Sequence, residues 1–179
     1  MYVDPDGMSV WDVLGRSIVI GVAALFGAIA GGASGGLIEL LFRQNAFIGP
    51  FIDIAVTLYQ EDRSKAGQEA IATVIKNRYN TGKYSSYYAV VAEGNGAQFH
   101  GFKDGWRLIR TQKIEFWSLV SAFSIAFKLL AGTSIKNHGL TSDYYFFVAK
   151  GAGCSLGAPA SKKTVGNSDF YKAKSGRFP

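Results

Sequence analysis

The chain has 179 residues, 48% of them hydrophobic and 18% charged, which is enough for one domain with its own core and too apolar for a disordered polypeptide. One cysteine, Cys154, excludes an internal disulfide framework, and with only His100 and His138 beside it a zinc set is poorly supplied, so no metal and no cofactor is expected. The formal charge of +6 is uneven: residues 1–50 carry −2 and residues 51–179 carry +8, so the C-terminal part calls for an anionic partner, whether nucleic acid, membrane surface or cell-wall polymer. In chain order, the first feature is the run Ser17–Ile38, 22 residues without a charge and with six glycines. Its length suits a membrane-spanning helix. The four-residue spacing of Gly27, Gly31 and Gly35 would let helices approach closely. A buried hairpin or an apolar arm fits the same residues, because each glycine costs a helix about 1 kcal/mol. An acidic start, Met1-Tyr2-Val3-Asp4, argues against a secretory signal.

After Pro50 the pattern becomes that of a helical domain. Ile54, Leu58, Ile71, Val74 and Ile75 fall at helical spacings, which predicts helices over about Ile52–Gln60 and Gly67–Tyr79 joined by a short polar turn. Thr81-Gly82-Lys83 ends the second, and Gly94-Asn95-Gly96 marks a loop. A third, long helix is predicted from about Arg107 to Leu130, with Gly132 as its stop signal. The aromatic run Tyr144–Val148 predicts a short strand, and the Gly-, Ser- and Lys-rich tail from Gly151 to Pro179 is expected to be mostly loop.

Two resemblances cover different segments. Tyr2-Val3-Asp4-Pro5-Asp6-Gly7-Met8 resembles the end of the Rhs repeat core, where a D-P-x-G motif precedes a variable C-terminal toxin. The resemblance implies self-cleavage after residues 1–8, release from a protein cage formed by the core, a pre-toxin segment over residues 9–49, and a cognate immunity protein. Residues 53–171 resemble the SleB-type cell-wall hydrolases. The motifs are Ile54–Glu61 ending in a glutamate, Gly67-Gln68, a helix ending in Asn77-Arg78, Gln98-Phe99, Thr141 leading into Tyr144-Tyr145-Phe146, and Val165-Gly166-Asn167-Ser168-Asp169-Phe170-Tyr171. Ser168 stands where that family has histidine. This resemblance implies a mainly α, lysozyme-like domain over residues 50–179 with a minor β element, preceded by the apolar Gly-rich helical arm. It further implies cleavage of the MurNAc–GlcNAc strand of peptidoglycan, and joined to the Rhs resemblance it implies action in the periplasm of a target bacterium.

Within that frame Glu61 is the expected catalytic acid and base. Cleaving a glycosidic bond needs a carboxyl group still protonated near neutral pH, and a glutamate at a helix C-terminus faces the negative end of the macrodipole. The bland alternative is an ion pair with Arg63 or Lys65. A second carboxylate for hydrolysis would come from Asp62, Glu69, Asp104, Asp143 or Asp169, whereas a single acid that later acts as base suits lytic transglycosylation. Gln98, Phe99, His100, Thr141, Tyr144 and Tyr145 are the expected substrate-binding residues, with Phe99 and Tyr144 offering flat surface to a sugar ring. Asn77-Arg78 is expected to brace the second helix. The alternative function is a basic ribonuclease using His100 and His138, and a third is a membrane-lesion toxin acting through residues 17–38; nucleic acid is the less expected partner.

Overall fold

The computed structural model describes residues 48–95, 99–111, 113–152 and 161–172. The Rhs-like motif, the uncharged run 17–38, Gln98 and Cys154 lie outside the described residues. Among the described residues the architecture is five α-helices and a three-stranded antiparallel sheet, so a mainly α domain with a minor β element is what the chain forms.

Helix α1 spans Ile48–Glu61 and is the axis of the domain. Pro50 falls in its first turn, where a missing backbone N–H costs nothing, so the helix starts four residues before the expected Ile52. Ile52, Ile54, Ala55, Val56, Leu58 and Tyr59 are all buried, which makes α1 apolar on every side, as a helix enclosed by others must be. Around it pack α2 (Lys65–Tyr79), α3 (Tyr87–Ala92), α4 (His100–Thr111) and α5 (Phe116–Leu130). Ser64 caps α2 by accepting the Gly67 N–H at 3.1 Å. Gly132, at φ +68, closes α5: its N–H reaches the Leu129 carbonyl and the Thr133 N–H reaches that of Lys128, the paired bonds of a Schellman motif.

The single long helix expected over Arg107–Leu130 is two helices. Residues 113–115 are non-helical, and the Glu115 N–H donates to Tyr59 Oη at 2.9 Å, which turns the chain so that α4 and α5 take different faces of α1. α5 packs Phe123 against Phe51, with centroids 5.5 Å apart. α4 approaches through Gly101 and Gly105: a Cβ there would meet the Thr57 carbonyl oxygen at 2.8 Å and Val56 Cγ1 at 2.4 Å.

Strand β1 covers Tyr144–Ala149, close to the expected Tyr144–Val148. The tail, expected to be mostly loop, supplies β2 (Lys162–Val165) and β3 (Ser168–Lys172), and the sheet order is β1-β3-β2. Tertiary burial explains the difference, since Ser168, Asp169, Phe170 and Tyr171 are all buried despite a polar sequence. Phe170 stacks on Phe147 at 5.8 Å and so joins the sheet to the core. Asn77 and Arg78 brace α2 to β1. Asn77 Nδ2 donates to the carbonyls of Thr141 and Tyr144 at 2.9 and 3.0 Å, and Arg78 Nε donates to that of Tyr145 at 2.7 Å. Among the described residues no helix is long and apolar enough to cross a membrane.

Candidate active site

Glu61 is the last residue of α1 and is half-buried against the start of α4, where its Oε1 accepts the Gly101 N–H at 2.7 Å. Two helix ends therefore act on one carboxylate with opposite sign: the C-terminus of α1 disfavours its charge and the N-terminus of α4 favours it. Desolvation decides the balance. Burial raises the Glu61 carboxyl above its ordinary value, by more than the Gly101 N–H and nearby His100 lower it. The expected alternative, pairing with Arg63, is not what the turn does. Arg63 Nη2 donates to Gln60 Oε1 at 2.9 Å, and its guanidinium lies 3.6 Å from the Tyr59 ring centroid.

The next residue behaves differently. Asp62 is 2% exposed, and its two oxygens accept from Ser64 N, Ser64 Oγ and Asn167 N, each at 2.8 Å, from Ser168 Oγ at 3.0 Å and from Asn167 Nδ2 at 3.4 Å. This ties the α1–α2 turn to the β2–β3 turn and fixes the end of the helix that carries Glu61. Gly67 and Gly166 leave room for it: a Cβ on Gly67 would lie 2.1 Å from Asp62 Cγ, and one on Gly166 would lie 3.0 Å from Asp62 Oδ2. Ser168 thus acts as a donor to a buried carboxylate.

The other expected site residues divide. His100 opens α4, exposed and close enough to Glu61 to act on it electrostatically. Phe99 is fully buried, 5.6 Å from Phe147 and beneath Arg78, so it is a core residue with no face for a sugar. Tyr144 is 6% exposed with its hydroxyl 3.3 Å from Ser161 Oγ, and it too belongs to the core rather than to a stacking surface. Tyr145 is half-buried at a register shift in β1, its carbonyl taken by Arg78. Thr141 is exposed; its hydroxyl donates to Asp143. Thus Glu61 and His100 come together, while Thr141, Tyr144 and Tyr145 line the strand that α2 braces.

Each candidate for a second carboxylate has its own partners. Asp62 is the knot just described. Glu69 Oε2 lies 2.7 Å from His138 Nε2, Asp104 pairs with Arg107, Asp143 with Lys172, and buried Asp169 with Lys162, Thr164 and the Gly151 N–H. Among the described residues no group of histidine, cysteine and acidic side chains is placed to hold a metal ion. The two histidines face different carboxylates, His100 toward Glu61 and His138 on Glu69, which does not favour an acid–base histidine pair.

Sequence reasoning missed two supports of the site. Asp62 and Ser64 form an Asp-x-Ser turn that announces a helix cap, and Gly101 and Gly105 have the spacing of close helix approach. No protein-family model, curated protein or solved structure matches this chain.

Proposed function

We propose that residues 50–179 form a lysozyme-like, SleB-type domain that cleaves the β-1,4 bond between N-acetylmuramic acid and N-acetylglucosamine, with Glu61 as acid and then base. The observation that carries this reading is the state of Glu61. It is a half-buried carboxyl with raised pKa at a helix end, held in position by one backbone N–H from a second helix. Such a group stays protonated at higher pH than a surface glutamate and can deliver its proton to the glycosidic oxygen. The carboxylate left behind can then take the proton of the muramic C6 hydroxyl as that oxygen attacks C1, closing a 1,6-anhydro ring. Engagement of Asp62, Glu69, Asp104, Asp143 and Asp169 elsewhere favours this one-carboxylate route over hydrolysis through a water that one of them would position. The same reading makes the chain the toxin end of an Rhs-type effector, caged by its core before release, matched by an immunity protein and active in the periplasm of a target cell.

The test is mass spectrometry of purified peptidoglycan digested with wild type and with Glu61→Gln. Anhydromuropeptides from the wild type alone are the expected result, and reducing muramic ends would mean hydrolysis. If neither product forms, and His100→Ala rather than Glu61→Gln relieves cytoplasmic toxicity, the protein is a nuclease.

A further inference from the structure

The feature that the Glu61 chemistry leaves unused is an aromatic pair at the start of α5. Trp117 is 77% exposed and Phe116 39%, and their rings stand 5.2 Å apart at 73°, edge to face. Leu119, Ala122 and Phe123 already fill the inward positions of this helix, so the fold has no need of two large rings on its outer side. Isolated exposed apolar residues are ordinary, but two adjoining aromatics form a patch.

Its place in the molecule narrows what it can bind. Residues 115–118 are pinned along the turn that begins at Glu61. The Glu115 N–H donates to Tyr59 Oη, Ser118 Oγ donates to the Arg63 carbonyl at 2.6 Å, and Gln68 Nε2 donates to the Ser118 carbonyl at 3.1 Å. The same stretch of chain carries exposed Lys65 and Lys113, while the Arg63 guanidinium is already engaged by Gln60, the Tyr59 ring and the charge of Glu115. Flat apolar faces for the C–H side of a pyranose, flanked by cations for carboxylates, match a glycan that carries acidic peptides. Exposed Glu115 immediately precedes the pair and acts electrostatically on Arg63, so the patch carries both signs of charge, which suits a glycan with mixed-charge peptides better than a uniformly anionic membrane.

We propose that Trp117 and Phe116 form a second glycan-binding platform that holds the peptidoglycan strand away from the bond being cut. The inference rests on the peptidoglycan reading of Glu61 and extends it: the preferred substrate is then the long strand. Binding along a polymer is strengthened because the second contact is made within an already bound chain.

The experiment is sedimentation of the full chain with purified, insoluble peptidoglycan, in a Glu61→Gln background so that the strand is not cut. The amide introduced by that substitution retains an oxygen to accept the Gly101 N–H, so the site geometry persists. Adding Trp117→Ala should weaken binding about tenfold, the scale of losing one buried aromatic anchor, while Trp117→Phe retains most of it. Trp117→Ala should melt like its parent, since the ring is solvent-exposed. If Trp117→Ala binds as tightly as its parent while the wild type still releases muropeptides, the platform is wrong and the Glu61 reading stands. If the Glu61→Gln protein does not bind and the wild type releases nothing, both fall. Trp117-dependent binding to phosphatidylglycerol vesicles, with none to peptidoglycan, would overturn the platform in favour of a membrane anchor.

Discussion

Glu61 and Asp62 are consecutive acids at the end of one helix, and the structure uses them in opposite ways. Asp62 is enclosed by five donors from the turn and the β2–β3 hairpin, whereas Glu61 accepts one backbone N–H among the described residues and is pushed toward its neutral form by burial. A carboxylate saturated with donors is a structural tie with no reason to move a proton. One that is desolvated and thinly bonded is poised to do so. The difference comes from helix geometry, because successive residues point about 100° apart and one acid meets α4 while the other meets the hairpin.

The sharpest way to break the comparison is to remove the tie. Asp62→Ala leaves the buried Ser168 hydroxyl without its acceptor and removes the bond that holds the Asn167 N–H, and should cost about 3 kcal/mol in urea unfolding. A loss no larger than that of a surface substitution would show that the knot does not hold the fold.

Glu61→Gln should act in the other direction. Activity on peptidoglycan should drop by about 10²–10⁴-fold, the usual worth of general acid catalysis. Stability should nonetheless rise at pH 7. A carboxyl whose folded pKa is raised opposes folding once the pH exceeds the unfolded value of 4.5, and glutamine removes that penalty. The gain in Tm should shrink at pH 4, where the group is mostly protonated in both states. A variant that melts well below wild type at pH 7 would mean that Glu61 is a structural cap of α4.

Gly101→Ala tests the support between these extremes. Its Cβ would meet the Thr57 carbonyl at 2.8 Å and Gln60 Cβ at 2.9 Å, so α4 must shift. A cost of about 1–3 kcal/mol is expected, with a fall in kcat as the Gly101 N–H moves from Glu61. Unchanged kcat would separate the α4 terminus from the chemistry.

How much of this was legible in the sequence follows the same division. α1, α2, β1 and the Gly82 and Gly132 stops were readable, because helical periodicity and terminal glycines are local signals. The break between α4 and α5 was not, since the Tyr59 hydroxyl that holds Glu115 is 56 residues away. β3 was hidden for a related reason: its Ser168 and Asp169 are buried only because Asp62, Lys162 and the Gly151 N–H meet them in space, and β2 forms by pairing with β3. At the site, Glu61 stood out by its position at a helix end, but Phe99 and Tyr144 read as sugar platforms when they are core. An aromatic at a loop or strand boundary carries no mark of which way it points, and the exposed pair, Phe116 and Trp117, lay within what read as a continuous helix.

The smallest expected effect sharpens the contrast through pH. Asp169 accepts from the Gly151 N–H, Lys162 and Thr164, and these bonds hold its carboxyl down to about 2. Its folded pKa lies below the ordinary 3.8, so the stability it contributes is present above pH 3.8 and is lost as the pH falls from there toward 2. Glu61 has the opposite sign, opposing folding as the pH rises above 4.5. From these two groups alone, stability should peak near pH 4, with an acid limb belonging to Asp169 and an alkaline limb belonging to Glu61. Thermal melts from pH 2 to pH 8 should show Asp169→Asn flattening the first limb and Glu61→Gln flattening the second. Lys162→Met should flatten the acid limb only in part, because the Gly151 N–H and Thr164 still hold the carboxylate. If Asp169→Asn leaves the acid limb as steep as in wild type, the buried hairpin acid is not what couples this fold to low pH.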